Sequence, residues 1–173
     1  TPINATKIWE SNHHVFNYFQ PLIVDVNGDG LPEIISALPS SARIDLSNAL
    51  NITNGKTGEL INTISTPYFI SSFLVSILII DTDNDGTLEL IIACSAVAQN
   101  LPQYRNRLVC LDLDGNIKWI SNNIYGQNNN FNPPYHGGLG SADFNLDGIP
   151  EVFIFNEIFN ARTGVKLVDG GKN

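Results

Sequence analysis

The chain has 173 residues, 43% of them hydrophobic, and a formal charge of −8. It can bury one ordinary core, and no apolar run reaches the ~20 residues of a membrane span. Its nine Lys and Arg are scattered singly among seventeen Asp and Glu, so the basic patch that a nucleic-acid partner requires is missing.

Taken in chain order, residues 6–12 (TKIWESN) come first and return almost unchanged as residues 116–122 (NIKWISN), which puts Trp9 and Trp119 at one repeat position. Residues 21–24 then read as a strand running into Asp25-Val-Asn27-Gly-Asp29-Gly30-Leu31-Pro-Glu33, with Ile34-Ile35 beyond it. Ser40–Leu50 has apolar spacing that allows one or two helical turns. Residues 51–61 carry a strand, a turn at Gly58 and a further strand. The pattern recurs at 77–80, Asp81-Thr-Asp83-Asn-Asp85-Gly86-Thr87-Leu-Glu89, Leu90-Ile91-Ile92 and a turn at Gly115. It recurs again at 139–142, Asp143-Phe-Asn145-Leu-Asp147-Gly148-Ile149-Pro-Glu151, Val152-Phe153-Ile154 and a turn at Gly164. Residues 40–49, 96–107 and 120–134 are polar, rich in Asn, Ser and Gln, and read as loops.

The three acidic segments have the residue types of a calcium loop. Oxygen-bearing side chains stand at positions 1, 3 and 5, and Gly at position 6 permits the sharp turn. The backbone carbonyl of Leu31, Thr87 or Ile149 is expected at position 7, and Glu closes the site at position 9. The predicted metal ligands are thus Asp25, Asn27, Asp29, Leu31 and Glu33; Asp81, Asp83, Asp85, Thr87 and Glu89; and Asp143, Asn145, Asp147, Ile149 and Glu151. Ten of the seventeen acidic residues lie in these loops, and three bound Ca²⁺ would reduce the net charge to about −2. The middle loop carries four carboxylates against three in its neighbours, which predicts the tightest site there. Position 12 is Ser36, Ile92 or Ile154 and a β-branched run follows each Glu, so the helix and bidentate Glu of an EF-hand are absent.

Each loop is therefore expected to be the turn of a β-hairpin pinned by a cation, and a second hairpin follows it. Two hairpins make a four-stranded antiparallel meander, and the loops begin at residues 25, 81 and 143. A unit of that kind, repeated at this period, predicts an all-β fold of β-propeller blades. The expected organisation is a partial β-propeller over 1–173. Residues 1–12 would be the last strand of a preceding blade, with blades at 13–66, 67–122 and 123–173. A closed propeller takes about four to eight blades, so the expected partners are the remaining blades of the same chain or a partner protein.

Few other residues suggest chemistry. Cys94 and Cys110 form no zinc spacing, and stand either as one bridge or as two buried thiols. His13 and His14 are adjacent and point to opposite faces of a strand, and His136 lies in a Gly- and Pro-rich stretch. Asp112 and Asp114 flank a turn. No nucleophile elbow, P-loop or dinucleotide fingerprint occurs, and no catalytic residue is assigned. Trp9 and Trp119 are expected between blades. Tyr68, Phe69, Phe131 and Tyr135 are candidates for stacking on sugars, and residues 128–138 are the candidate recognition loop.

The loops and the strand after each resemble the FG-GAP (VCBS-type) repeats of integrin-α-like β-propellers. Ala37-Leu38-Pro39 and Ala93-Cys94-Ser95 stand where that family has Gly-Ala-Pro, with the Gly lost in both. Residues 138–171 are similar to repeats of large secreted surface proteins of Bacteroidetes-type bacteria. The resemblance implies structural Ca²⁺, about three ions. It also implies an extracellular or cell-surface binding, adhesion or scaffold module of a larger protein, but does not carry over the ligand-binding face of integrins; a glycan or surface ligand is the candidate partner that the aromatic residues suggest. Some polysaccharide lyases resemble this fold too, which keeps a segment of a carbohydrate-active enzyme as the alternative. Calcium is plentiful outside the cytosol and scarce within it, in keeping with secretion.

Overall fold

The computed structural model describes residues 6–10, 21–37, 46–71, 76–94, 103–104, 106–122, 124 and 138–170. These form twelve strands in three four-stranded antiparallel sheets. The first sheet runs β1 (Leu22–Val24), β2 (Glu33–Ala37), β3 (Leu46–Asn54), β4 (Leu60–Ser71). The second runs β5 (Ser76–Ile80), β6 (Glu89–Cys94), β7 (Arg107–Leu111), β8 (Ile117–Ile120), and the third β9 (Gly140–Ala142), β10 (Glu151–Ile154), β11 (Glu157–Asn160), β12 (Lys166–Val168). Each is a meander, as expected of a propeller blade. Among the described residues no helix is long and apolar enough to cross a membrane.

The register repeats with the sequence. Val24 pairs with Glu33, Ile80 with Glu89 and Ala142 with Glu151, so each acidic segment is the connection of the first hairpin of its blade. The second hairpins turn at Gly58, Gly115 and Gly164, whose φ angles of 77°, 92° and 69° lie in the left-handed region that glycine tolerates. Their amides donate to the carbonyls of Asn54, Asp112 and Asn160. Just beyond each turn, the last strand bulges at one residue: Ile61, Lys118 or Leu167.

Two cores fill the spaces between the blades. Ile35, Leu50, Ile52 and Ile64 of the first blade pack against Leu90, Ile92, Val109 and Leu111 of the second. Ile91, Ala93, Leu108 and Cys110 pack from the opposite face of the second blade against Val152, Ile154 and Phe159 of the third. β6 alternates between the two cores and is buried at all six positions, which explains its unbroken apolar run.

A polar clasp joins each blade to the chain before it. Trp9 Nε1 donates to the Gly55 carbonyl (3.0 Å), Asn62 Nδ2 to the Leu113 carbonyl (3.3 Å) and Trp119 Nε1 to the Ala161 carbonyl (2.9 Å). The acceptor in each case is the residue after the Asn or Asp that opens the second hairpin turn. A Cβ on Gly58 would lie 2.8 Å from the Trp9 ring, and one on Gly164 2.4 Å from Trp119 Cε3. Trp119 thus sits between the second and third blades, and Trp9 packs on the turn of the first. Residues 6–10 carry Trp9 to its socket outside any sheet.

Three expectations need correction or resolution. Residues 46–50, inside the stretch read as a polar loop with helical spacing, belong to β3, where long-range pairing with β4 overrides local propensity. The polar segments read as loops contribute to the core: Ile124 is fully buried and donates its amide to the Asn106 carbonyl, and Tyr104 is buried too. Of the two alternatives for the cysteines, the structure shows buried thiols with no disulfide between them. Cys94 pairs with Arg107 and Cys110 with Ile91, and their side chains enter different cores.

Candidate metal centres

Each loop is drawn tight by its first carboxylate. Asp25 accepts the amides of Gly28, Asp29 and Gly30; Asp81 those of Asp83, Asp85 and Gly86; Asp143 those of Asp147 and Gly148. The Gly30 amide, aided by its neighbours, holds the Asp25 carboxyl below the ordinary aspartate value. Asp29, Asp85 and Asp147 each accept the amide two residues on, from Leu31, Thr87 and Ile149. For Asp85, the Thr87 hydroxyl is the main cause of its lowered pKa. The position-6 glycines have φ near 84°, 89° and 88°, a backbone conformation that a side chain strains.

The closing glutamates are buried and fold back alike. Oε2 of Glu33, Glu89 and Glu151 accepts the amide of Val26, Thr82 and Phe144 at 3.0, 2.9 and 2.8 Å. The second oxygen differs among the loops. Glu33 Oε1 is buried with no hydrogen-bond partner, and so is Asp83 Oδ1. Glu151 Oε1 accepts from Asn145 Nδ2, and Glu89 Oε1 from Lys118 Nζ at 2.8 Å. Orphaned buried carboxylate oxygens are costly unless a cation meets them. In the middle loop, oxygens of Asp81, Asp83 and Glu89 lie within 4.8 Å of one another, a spacing that can hold a metal ion. The donors are all hard oxygens, which suits Ca²⁺ or Mg²⁺ over softer metals.

Residues 25–92, from the first Asp of the first loop to β6, match the family model described as FG-GAP-like repeat. This segment is an FG-GAP-like repeat. None of the curated proteins matches the chain. Among solved structures, the chain is similar to the V. cholerae biofilm matrix protein Bap1, at 20% identity and TM-score 0.52, covering 86% of this chain and 19% of that one. It is also similar to the exotype rhamnogalacturonan lyase YesX, at 19% identity and TM-score 0.56, covering 86% of this chain and 29% of that one. At these identities the likeness is one of fold, and it is propeller-like. The chain spans less than a third of the length of either protein.

Beyond the loop signature, the FG-GAP-like segment and the repeat after it use residues that the sequence reading did not single out. Position 4 is left-handed in every loop, at Gly28, Asn84 and Leu146. Gly or Asn at two of the three positions was the available signal. Thr82 is buried and donates both its amide and its hydroxyl to Glu89. Arg162, on the turn of the third blade, donates to the Asp83 carbonyl. Lys118 reaches Glu89 and Asp83 from the last strand of its blade, and its pKa is raised chiefly by the Glu89 hydrogen bond. Nothing in the spacing of a loop motif points to a lysine 29 residues past its closing Glu. His13, His14, His136, Phe131, Tyr135 and nearly all of the candidate recognition loop lie outside the described residues, as do the side chains of Tyr68 and Phe69.

Proposed function

We propose that this chain is a calcium-stabilised propeller segment, serving as an extracellular binding, adhesion or scaffold module of a larger secreted or cell-surface protein. The observation that carries the reading is the repetition of one hard-oxygen loop in one register of three successive blades, with buried carboxylate oxygens left for a cation at Glu33 and Asp83. The ligands in each loop come from a tight turn of consecutive residues, which leaves little room for a substrate and suits a structural ion. About three Ca²⁺ ions are proposed, held by the side chains at positions 1, 3, 5 and 9 and the carbonyl at position 7. Further blades, from the same chain or a partner protein, complete the propeller, and a glycan or surface ligand is its target. The fold likeness to a biofilm matrix protein supports an extracellular setting.

Calorimetric titration of chelator-stripped protein with Ca²⁺, paired with melting curves, tests the calcium part. Binding at about three sites with a marked rise in Tm is expected; no heat and an unchanged melt would sink it. A glycan array probed with the calcium-loaded full-length protein tests the binding role. The fold likeness to a rhamnogalacturonan lyase favours a second reading, a segment of a carbohydrate-active enzyme. Release of unsaturated products from pectic polysaccharides by the full-length protein would select it.

A further inference from the structure

The three blades carry the same bulge just past their second turn, and the bulged residue is Ile61 in the first, Lys118 in the second and Leu167 in the third. Ile61 and Leu167 are about half exposed, at 50% and 51%. A bulge re-aims its side chain, and at Lys118 that side chain crosses β7 to the loop between β5 and β6. Its ammonium lies 2.8 Å from Glu89 Oε1 and 3.2 Å from Asp83 Oδ2. The loops differ at a second, matching place. Position 3 is Asn27 and Asn145 in the flanking loops but Asp83 in the middle one. The additional carboxylate and the lysine therefore occur together, in one blade, in contact.

We propose that Lys118 is a tethered counter-cation of the middle loop that competes with the metal ion, making this loop the weakest calcium site of the three and the one that keeps its shape without calcium. The inference rests on the calcium reading above and reverses the order that carboxylate count alone predicts. Its chemistry is charge competition. Glu89 Oε1 and Asp83 Oδ2 already hold a positive charge at hydrogen-bond distance, so of these two carboxylates only Asp83 Oδ1 is left to the ion without a competitor. Calcium must displace the ammonium or accept fewer ligands. The flanking loops carry no such competitor among the described residues: Glu33 Oε1 has no hydrogen-bond partner, and Glu151 Oε1 accepts from a neutral amide.

The test follows the amide resonances of Gly30, Gly86 and Gly148, one per loop, during Ca²⁺ titration of the native chain and of two variants. In the native chain, Gly86 should respond at calcium concentrations about tenfold or more above those that move Gly30 and Gly148. In Lys118→Met its midpoint should fall by about tenfold or more, while the calcium-free Tm drops because Glu89 loses its cationic partner. The double variant D83N/K118L gives the middle loop the position-3 and bulge chemistry of its neighbours. It keeps a donor for Glu89 and guards against a single variant that fails to fold, and in it the Gly86 midpoint should join the other two. A Gly86 midpoint at or below those of Gly30 and Gly148 in the native chain, unmoved in D83N/K118L, would overturn the assignment while leaving calcium binding intact. No response at any of the three glycines would overturn the calcium reading as well.

Discussion

The middle blade and its two neighbours are built from one repeat, yet they are held together differently. The middle blade is packed on both faces, β6 is buried along its whole length, and its loop is braced by Lys118 from within and by Arg162 from the next blade. The first loop has the same frame of backbone hydrogen bonds around Asp25 but leaves Glu33 Oε1 buried and unpartnered. A shared loop signature thus sets the geometry of three sites without setting how much each depends on an ion. In the proposal above, that dependence is set by Lys118, two strands away from the loop it contacts.

The largest expected effect separates the blades by their need for metal. Saturating calcium, at about a thousand times the dissociation constant, adds about 4 kcal/mol to stability. Chelation should therefore cost the flanking hairpins most of their protection against amide hydrogen exchange while β6 and β7 keep theirs. Equal loss in all three blades would erase the contrast. The clasps should follow next. Trp119→Ala removes a ring wedged over Gly164 and its hydrogen bond to Ala161, and should cost about 3 kcal/mol in chemical denaturation. Asn62→Ala, at the equivalent position of the exposed first-to-second joint, should cost about 1 kcal/mol. Leu146 stands 85% exposed with φ of 60°. Leu146→Asn, matching Asn84 of the middle loop, should stabilise the third loop by about 1 kcal/mol in the same assay. Finally, burial pushes the Cys110 thiol up to about 12. A thiol reagent at mildly alkaline pH should label neither it nor buried Cys94 until the chain unfolds, even in chelator, if the middle blade is the self-sufficient one.

Much of this architecture was legible because it repeats. A position-6 glycine, a closing Glu and a β-branched run recur, and so do the turns at Gly58, Gly115 and Gly164; together they marked the hairpins and hence the blades. The paired tryptophans marked the joint of the second and third blades and the contact of residues 6–10 with the first. What stayed hidden depends on contacts distant in sequence. Leu46–Leu50 has helical spacing and becomes strand through pairing with β4 and, at Leu50, with β2. Ile124 sits in an Asn-rich segment and is buried only because the chain doubles back on Asn106. The middle loop shows four carboxylates to a reader of the sequence, but the lysine that answers the fourth lies two strands away.

The most direct test of the central claim is an anomalous difference map from crystals grown in calcium. The account predicts density in the first and third loops, coordinated by Asp25 and Glu33 and by Asp143 and Glu151, with the middle loop filled last. Loops free of density at saturating calcium, with Glu33 Oε1 still unliganded, would contradict it.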